Sequence, residues 1–397
     1  MTDREHSGFD YDEIINRREV AALKWHPAVV GETSLPMFAA GVADMDFRSP
    51  GVILDAMQHR LNHGVFGYEG VPDGLMQELA NWMARRHGWS LNTEHVLRAP
   101  NVLNSLATAV NLFTRQGEGV IVQPPVFFDF FDVIRENHRN VVHNPLRLES
   151  GRYVMDFDDL EQKASQPEVG MLMLCNPHNP VGRAWNAEEL ATLGEICASH
   201  GVMVVSDEMH CDLVLPGHSF TPFASLGEAN ARNSVTCLSP AKTFNIPACS
   251  AAFTVVSNDE HRSRFQAENS RLTVNKNNSF ANVAMMTGLQ SGEPWLEAVT
   301  EYLAGNIELV RYRLNPHEDI DLIQPESTFL IWLDCRGLGR SMDDVMQFLR
   351  DQAGWVVNRG DRFGNGGDGF VRVNIACSRR LLQSAMDRLV NALSGTA

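Results

Sequence analysis

The sequence predicts an α/β protein, with a large domain whose mostly parallel sheet is flanked by helices and a smaller α+β domain after it. Between residues 51 and 292, short apolar runs alternate with amphipathic segments, which is typical of a parallel sheet covered on both faces. From residue 293 the sequence becomes richer in helical patterns. A chain of 397 residues, 44% of them hydrophobic, is long enough for two or three domains.

The elements of the large domain follow from apolar runs and from the 3.6-residue spacing of apolar side chains between them. The runs predict strands at 96–99, 119–123, 141–146, 170–175, 202–206, 234–238 and 251–257. The amphipathic segments predict helices at 49–62, 75–87, 104–115, 129–137, 187–200 and 261–273. Because ligands in such sheets bind beyond the carboxyl ends of the strands, we expect functional residues in the loops there.

Residues 1–50 are predicted to form an arm that packs with the small domain, with one short helix at 11–23. The small domain, residues 293–397, begins with a helix that has Trp295, Leu296 and Val299 at helical spacing. Its predicted elements are a helix at 294–314, a strand at 329–333, a helix at 342–353, strands at 355–358 and 370–375, and a helix at 380–393.

Composition excludes several classes of partner. The net charge of −16 argues against nucleic acid and anionic membranes, because both require clustered cationic surface. No apolar run is long enough to span a membrane, and residues 1–6 lack an apolar signal region. The seven cysteines form no C-x-x-C pair, which favours reduced thiols in a cytoplasmic protein. We expect no metal site, since the 14 histidines include no H-E-x-x-H motif.

Three loops after predicted strands carry polar side chains suited to chemistry. Asn179 lies in an Asn-Pro-rich loop, Asp207 ends an apolar strand, and Lys242 follows a β-branched run. Each alone has an ordinary alternative, respectively a turn, a helix cap and a surface lysine. Their separations of 28 and 35 residues each fit one strand–helix–strand step. The loops can therefore open onto one sheet edge and place a lysine nucleophile near a buried carboxylate.

These residues belong to a longer pattern that resembles a known family. In chain order the pattern is Asn179-Pro180 with Gly182, Asp207, Ser239-x-x-Lys242 and Arg372. Over nearly the whole chain it resembles the fold-type I pyridoxal-phosphate (PLP) enzymes of the class I/II aminotransferase superfamily. Finer motifs resemble one branch, the cystathionine β-lyase-like (PatB/MalY) C–S lyases. They include Lys24-Trp25, Ala43-Asp44-Met45-Asp46-Phe47, Phe66-Gly67-Tyr68, Lys242-Thr243-Phe244-Asn245 and Gly292-Glu293 with Trp295-Leu296.

The resemblance implies a catalytic set of Lys242, Asp207 and Phe127. Lys242 would bind PLP as a Schiff base and later move the Cα proton. Asp207 would keep the pyridine nitrogen protonated, and Phe127 would stack on the ring. Asn179 would hydrogen-bond the 3′-oxygen and contact the substrate, while His210 would lie in the pocket beside Asp207.

The phosphate and substrate contacts are also implied by the resemblance. Ser239 and the N–H groups of Val102 and Leu103, at a helix N-terminus, would hold the phosphate. Tyr68 would reach the phosphate and substrate of a neighbouring subunit, which implies a homodimer with shared sites. Arg372 would bind the α-carboxylate of a small amino-acid substrate through two parallel hydrogen bonds.

Five positions depart from the family pattern; two of them are Ala241, where a serine is common beside the lysine, and His26, where an acid usually follows the tryptophan. Asn101 stands where a glycine usually starts the phosphate loop, and we expect its tolerance of left-handed backbone angles to preserve the turn. Phe127 stands where a tyrosine usually stacks on the ring, so a phenol near the leaving group is lost. Ser250 replaces the phosphate-binding arginine of many aminotransferases, a difference compatible with the lyase branch.

The leading functional hypothesis is a PLP-dependent C–S β-lyase that converts a cysteine-derived thioether to a thiol, pyruvate and ammonia. Phe127 and Asn101 motivate a second, in which the scaffold serves as an aminotransferase or as an oxygen-dependent decarboxylative deaminase of an S-conjugated amino acid in specialised (antibiotic) metabolism. A third is a binding or regulatory relative without turnover, which the intact set from Asn179 to Arg372 disfavours.

Overall fold

The computed structural model describes residues 9–31 and 35–395. Predictions made for residues 1–8 and 32–34 of the arm, and for residues 396–397, therefore lie outside the described residues. Within the described ranges, no helix has the length and apolar character needed to cross a membrane.

The described residues form fifteen strands and fourteen α-helices, joined by short 3-10 turns. The strands β1 to β15 are Phe38–Ala39, Val96–Ala99, Gly119–Val122, Asn140–His143, Arg147–Glu149, Arg152–Val154, Val169–Cys175, Met203–Asp207, Ser234–Leu238, Ala252–Val255, Asp321–Ile323, Leu330–Asp334, Trp355–Val356, Asn358–Arg359 and Phe370–Asn374. The helices α1 to α14 are Pro27–Val30, Gly51–His63, Leu75–His87, Val102–Phe113, Asp129–Glu136, Phe157–Ala164, Ala187–Ser199, Glu228–Arg232, Pro240–Thr243, Asp259–Arg271, Ser279–Ser291, Glu293–Leu314, Met342–Asp351 and Arg379–Leu393.

Seven strands form the central sheet, in the order β2-β10-β9-β8-β7-β3-β4. Strands β9, β8, β7, β3 and β4 run parallel, whereas β10 is antiparallel to both of its neighbours. Apolar side chains of α4, α5 and α10 pack on one face of this sheet, and those of α6 and α7 pack on the other. The mostly parallel, helix-flanked sheet predicted from the sequence is confirmed.

The pairing register determines where the three polar loops lie. Cys175 at the end of β7 is level with Asp207 of β8, and Asp207 is level with Cys237 of β9. The loops that follow these positions contain Asn179 and Lys242. All three loops therefore open at the carboxyl edge of the same sheet.

A second sheet is formed by residues near the other end of the chain. Its four antiparallel strands have the order β11-β12-β15-β14. Strand β1 of the arm pairs in parallel with β13, so the arm is joined to this part of the molecule. The domain boundaries at residues 50/51 and 292/293 stay predictions, although α12 begins at Glu293.

Several local predictions differ from the structure: the strand predicted at 355–358 is divided into β13 and β14, which belong to different sheets, and two helices also differ. The helix predicted at 11–23 is wrong, because this stretch contains only the 3-10 turns Arg17–Glu19 and Leu23–Trp25. Its side chains instead reach the following arm segment, where Arg17 pairs with Asp44 at 2.6 Å. Helix α11 was not predicted, because its small and apolar residues show no polar face and it is largely buried.

Candidate active site

A cavity of about 200 Å³ lies at the carboxyl edge of β7, β8 and β9. Its wall contains most of the residues that the sequence singled out. The lining residues are Ala43, Asn101, Val102, Leu103, Phe127, Cys175, Asn179, Asp207, Met209, His210, Ser239, Ala241, Lys242, Pro247, Ser250 and Ala251. Arg372 lies behind this wall, hydrogen-bonded to Asn179, and Tyr68 is absent from it.

Lys242 lies on the one-turn helix α9, whose N-cap is Ser239. Its Nζ donates a hydrogen bond to the carbonyl oxygen of Ala43, and no described carboxylate forms an ion pair with it. Burial lowers the pKa of the Lys242 amine to about 8, with the charge of Asp44 opposing this shift and that of Arg372 adding to it. A useful fraction of the amine is therefore neutral near physiological pH, as a nucleophile or base requires.

Asp207 is buried at the end of β8. Its Oδ1 accepts a hydrogen bond from the N–H of Met209 at 3.2 Å, and the described residues supply no other donor. Burial raises the pKa of this carboxyl to about 7, although the Met209 N–H and the charge of Lys242 act in the opposite direction. A buried carboxylate without a cation is costly, so the site has a place for a cationic group beside Asp207.

Arg372 is a buried arginine on β15 that has no carboxylate partner among the described residues. Its Nη1 donates to Oδ1 of Asn179 at 3.1 Å, and its Nη2 donates to the carbonyl of Gly41 at 2.7 Å and to Oδ1 of Asn358 at 2.8 Å. Its Nε is buried without an acceptor. Burial lowers the pKa of Arg372 to about 9. Neutral acceptors thus fix the guanidinium and leave its charge available to an anion.

His210 and Phe127 complete the deep part of the wall. Burial lowers the pKa of His210 to about 3, so the ring is neutral, and its Nδ1 is buried without a partner. The ring of His210 meets the ring of Phe329 edge-on at 5.9 Å between centroids. Phe127 lies at the cavity with its ring 5.3 Å from that of Phe128. Neither Phe127 nor Phe128 carries a hydroxyl.

Another part of the cavity wall is formed by the start of α4 and by the turn at Ser239. Asn101 caps α4, and its side chain accepts the N–H of Asn104 at 2.8 Å. The backbone of Asn101 is extended, with φ of −162°, so the expectation that it uses left-handed angles is wrong. The first N–H groups of a helix lack acceptors within it, which leaves those of Val102 and Leu103 for an anion. The Ser239 hydroxyl donates to the carbonyl of Ala251 at 2.6 Å.

Tyr68 is not brought to the cavity of its own chain. Its side chain is fully exposed, at 108%, and it lies on an irregular segment between α2 and α3. Phe66 on the same segment is also exposed, at 53%. The role assigned to Tyr68 therefore depends on a second copy of the chain and stays a prediction.

The arm supplies a wall of the site that the sequence did not assign. The carbonyl of Gly41 accepts from Arg372, and the carbonyl of Ala43 accepts from Lys242. Asn374 holds this segment in place by donating to the carbonyls of Val42 and Asp44, both at 2.7 Å. The motif at residues 43–47 pointed to the segment, but backbone acceptors have no sequence signature.

The side chains at the cavity fit PLP. Asp207 has no cationic partner among the described residues and would face a protonated ring nitrogen. Lys242 has no carboxylate partner among them and would bind the aldehyde. The N-terminus of α4 suits a phosphate. The amide nitrogen of Asn179 donates to no described residue, and the Nδ1 of His210 is likewise unpartnered. Both can serve the polar atoms of a bound ring.

Comparison with known proteins agrees with this fit. A family model described as aminotransferase class I and II matches residues 38–389. Cystathionine β-lyase PatB of Bacillus subtilis (strain 168) is 40% identical over 389 residues, which cover 97% of this chain and 100% of PatB.

Two solved structures that contain PLP share the fold. A protein from Clostridium difficile 630, described as a candidate aminotransferase, has a TM-score of 0.94 and 34% identity over 97% of this chain and 100% of its own. Cystalysin from Treponema denticola has a TM-score of 0.94 and 29% identity over 98% of this chain and 100% of its own. The fold and site thus define a fold-type I PLP-dependent enzyme. The chain belongs to the class I and II aminotransferase family, in the neighbourhood of the PatB and cystalysin proteins.

Proposed function

We propose that this protein is a PLP-dependent C–S β-lyase that cleaves a cysteine-derived thioether to a thiol, pyruvate and ammonia. One observation carries the proposal: Lys242, Asp207 and Arg372 converge on one cavity region, and none of them has an oppositely charged side chain as a direct partner among the described residues. Similarity to PatB, which is named a cystathionine β-lyase, supports cleavage of a Cβ–S bond.

Substrate binding is assigned to Arg372 and Asn179. The guanidinium binds the α-carboxylate, and the carbonyls and amides around it keep its plane fixed. Because these neighbours are neutral, the full positive charge is available to the substrate. Holding the carboxylate in this way orients the Cα–H bond relative to the amine of Lys242.

Asp207 and Asn179 would hold the cofactor ring. When bound, PLP supplies an electron sink for the charge that develops at Cα. Asp207 would pair with the protonated ring nitrogen, which would offset the cost of burying its carboxylate. The amide nitrogen of Asn179 would donate to the 3′-oxygen, while its Oδ1 accepts from Arg372.

Lys242 is the base of the proposed reaction. Its amine removes the proton from Cα, the Cβ–S bond breaks with both electrons leaving on sulfur, and the thiolate gains a proton. The aminoacrylate that remains takes up water and yields pyruvate and ammonia. An amine pKa of about 8 suits this step, because a base acts best when its pKa lies near the working pH.

A product assay tests the proposal. The PLP-loaded protein is incubated with L-cystathionine and with several S-conjugates of cysteine, with and without oxygen. We expect thiol and pyruvate in equal amounts and no consumption of oxygen. Absence of both products from every compound would overturn the proposal.

A second candidate outcome is favoured by the missing phenol at Phe127. Without a hydroxyl near the leaving group, the same scaffold can divert to transamination or to oxygen-dependent decarboxylative deamination. Mass spectrometry separates the outcomes. An oxo acid that retains its sulfur indicates transamination, and carbon dioxide release with oxygen uptake indicates the oxidative route.

We also propose a homodimer with shared sites, in which Tyr68 of each chain reaches the cavity of the other. The exposed apolar side chains of Val65, Phe66 and Tyr68 support this arrangement. A Tyr68→Phe variant that binds PLP like the wild type, or a monomeric mass in solution, would contradict it.

The free state of all seven cysteines supports a reducing compartment, for which we propose the cytoplasm.

A further inference from the structure

A second guanidinium, that of Arg362, lies beside the proposed carboxylate-binding Arg372. Arg362 belongs to the 3-10 turn Gly360–Phe363 that precedes β15. Its side chain is exposed and forms no hydrogen bond or ion pair with the described residues. Nearby arginines are paired: Arg359 with Asp361 at 2.7 Å, and Arg336 with Asp334 at 2.5 Å. Arg362 therefore lacks the direct carboxylate partner that these two arginines have.

An aromatic pair, Phe128 and Phe363, lies between the guanidiniums of Arg362 and Arg372, neither of which has a carboxylate partner among the described residues. Arg362 Cζ lies 4.2 Å from the ring centroid of Phe128, and Arg372 Cζ lies 5.1 Å from that of Phe363. The two rings meet edge-on at 5.4 Å between centroids. A backbone hydrogen bond of 2.9 Å from Val126 to Phe363 ties the loop before Phe128 to this turn. Stacking on an aromatic face suits arginine and limits its rotamers.

A ring contact between Phe127 and Phe128 links the cavity wall to the ring on which Arg362 packs. Phe127 lines the cavity, and its ring lies 5.3 Å from that of Phe128. A substrate whose α-carboxylate is bound by Arg372 has its reacting atoms near Lys242. A substituent that extends past Phe127 and Phe128 then approaches Arg362.

Charge around Arg362 favours an anion there. The charge of Arg362 adds to burial in lowering the pKa of Arg372, because the two positive charges repel each other. Asp129 is the carboxylate that opposes this effect, but it forms no ion pair with either arginine. The whole chain carries a net charge of −16, which repels anionic ligands in general. An anionic substituent is therefore favoured only where local positive charge, here the exposed Arg362 outside the buried Arg372, offsets this repulsion.

We infer that Arg362 binds a carboxylate on the sulfur substituent of the substrate. The substrate class would then be cysteine thioethers whose departing group carries a negative charge. This inference rests on the proposed function, since it assumes β-elimination of a cysteine thioether. It adds that Arg362 determines the preference for a charged sulfur substituent. The alternative is that Arg362 only packs on Phe128, in which case it would not distinguish charged from neutral substituents.

Matched substrates test the inference. S-(2-carboxyethyl)-L-cysteine and S-(2-carbamoylethyl)-L-cysteine have nearly the same shape and differ in one charge, and the carboxymethyl and carbamoylmethyl pair repeats the test at a shorter length. We expect kcat/KM to favour the acid by about tenfold or more in the wild type, mainly through KM. Arg362→Gln should bring the ratio close to one, and Arg362→Lys should restore part of it. Arg359→Gln, on the same surface but paired with Asp361, should keep the wild-type ratio.

A binding measurement separates this inference from the proposed reaction. L-2-aminopimelate and its terminal amide replace sulfur by carbon and cannot undergo β-elimination, so titration of the cofactor absorbance gives their Kd. Tighter binding of the acid that is lost in Arg362→Gln supports the inference even if no thioether yields pyruvate. Equal binding and equal kcat/KM at both lengths, or a preference that survives in Arg362→Gln, would overturn it while leaving the lyase proposal intact.

Discussion

Two buried aspartates five positions apart, Asp207 and Asp212, differ in how many hydrogen-bond donors surround them. Asp207 lies in the candidate active site, whereas Asp212 lies in a cluster that stabilises the fold. Asp207 is 4% exposed and Asp212 is 7% exposed. Asp207 accepts one hydrogen bond, from a backbone N–H. Asp212 accepts hydrogen bonds from Trp82 at 2.9 Å and His87 at 2.8 Å on Oδ1, and from Thr243 at 2.7 Å on Oδ2.

The different surroundings give the two carboxyl groups opposite pKa shifts. Burial alone would raise the pKa of Asp212, but His87, Thr243 and the charge of Arg86 outweigh it and lower that pKa. Burial raises the pKa of Asp207 to about 7, because little opposes it. A buried charge with a full set of partners stabilises the fold, whereas one without partners marks the place of a ligand. Asp212 accepts a hydrogen bond from Thr243, the residue after Lys242, and Asp207 lies near enough to Lys242 for their charges to interact.

The largest effect is expected at Lys242, which lies in the candidate active site with Asp207. We expect Lys242→Ala to lower kcat for pyruvate release by at least about a thousandfold, because both the covalent link to PLP and the base are lost. The visible absorption of the lysine-bound cofactor should disappear with it. Lys163→Ala, which removes a partly exposed lysine paired with Asp159 at 3.7 Å, is the matched control. Pyruvate release within tenfold of wild type in Lys242→Ala would refute this role.

The next effect concerns the supporting cluster. Asp212→Ala leaves the donors on Trp82, His87 and Thr243 without their acceptor, and it removes the carboxylate 3.7 Å from Nε of Arg86. We expect the free energy of unfolding of the cofactor-free protein to fall by about 3 kcal/mol, measured by urea denaturation. Asp361→Ala removes an exposed carboxylate and should cost less than about 1 kcal/mol. Equal losses in the two variants would show that the Asp212 cluster is not a special source of stability.

The smallest effect is expected at Asp207, and it has the opposite sign. The folded-state pKa of about 7 lies above the ordinary 3.8, so the folded protein binds a proton that the unfolded chain releases. Wild-type stability is therefore lost as pH rises through this interval. Asp207→Asn cannot ionise, so without cofactor it should gain about 2.5 kcal/mol on wild type between pH 5 and pH 8. Urea denaturation at the two pH values measures this, and a pH-independent difference would argue against a buried, unpaired carboxylate.

Much of the site could be predicted because it lies at strand ends. The apolar run before Asp207 and the β-branched run before Lys242 specify strands, and a parallel sheet brings their carboxyl ends together. The contacts of Asp212 could not be predicted in this way. Its partners His87 and Trp82 lie 125 and 130 residues away, and no periodicity in either segment indicates that they meet.

The remaining differences also have physical reasons. Asn101 was expected to replace a glycine by adopting left-handed angles, but its side chain caps α4 and the backbone stays extended. In place of the helix predicted at 11–23, Arg17 forms ion pairs with Asp44 and Asp46. In both cases a polar side chain forms contacts that the spacing of apolar residues does not predict.

The arm carbonyls at the site have a consequence for how the protein is made. Gly41 meets Arg372 across 331 residues of chain, and strand β1 pairs with β13 over a similar distance. During synthesis the first of these segments leaves the ribosome long before its partners exist. Catalytic competence therefore arises only after β15 has been made and the arm has closed onto it. Activity in a synthesis time course should lag behind formation of the central sheet, whose strands end at Val255.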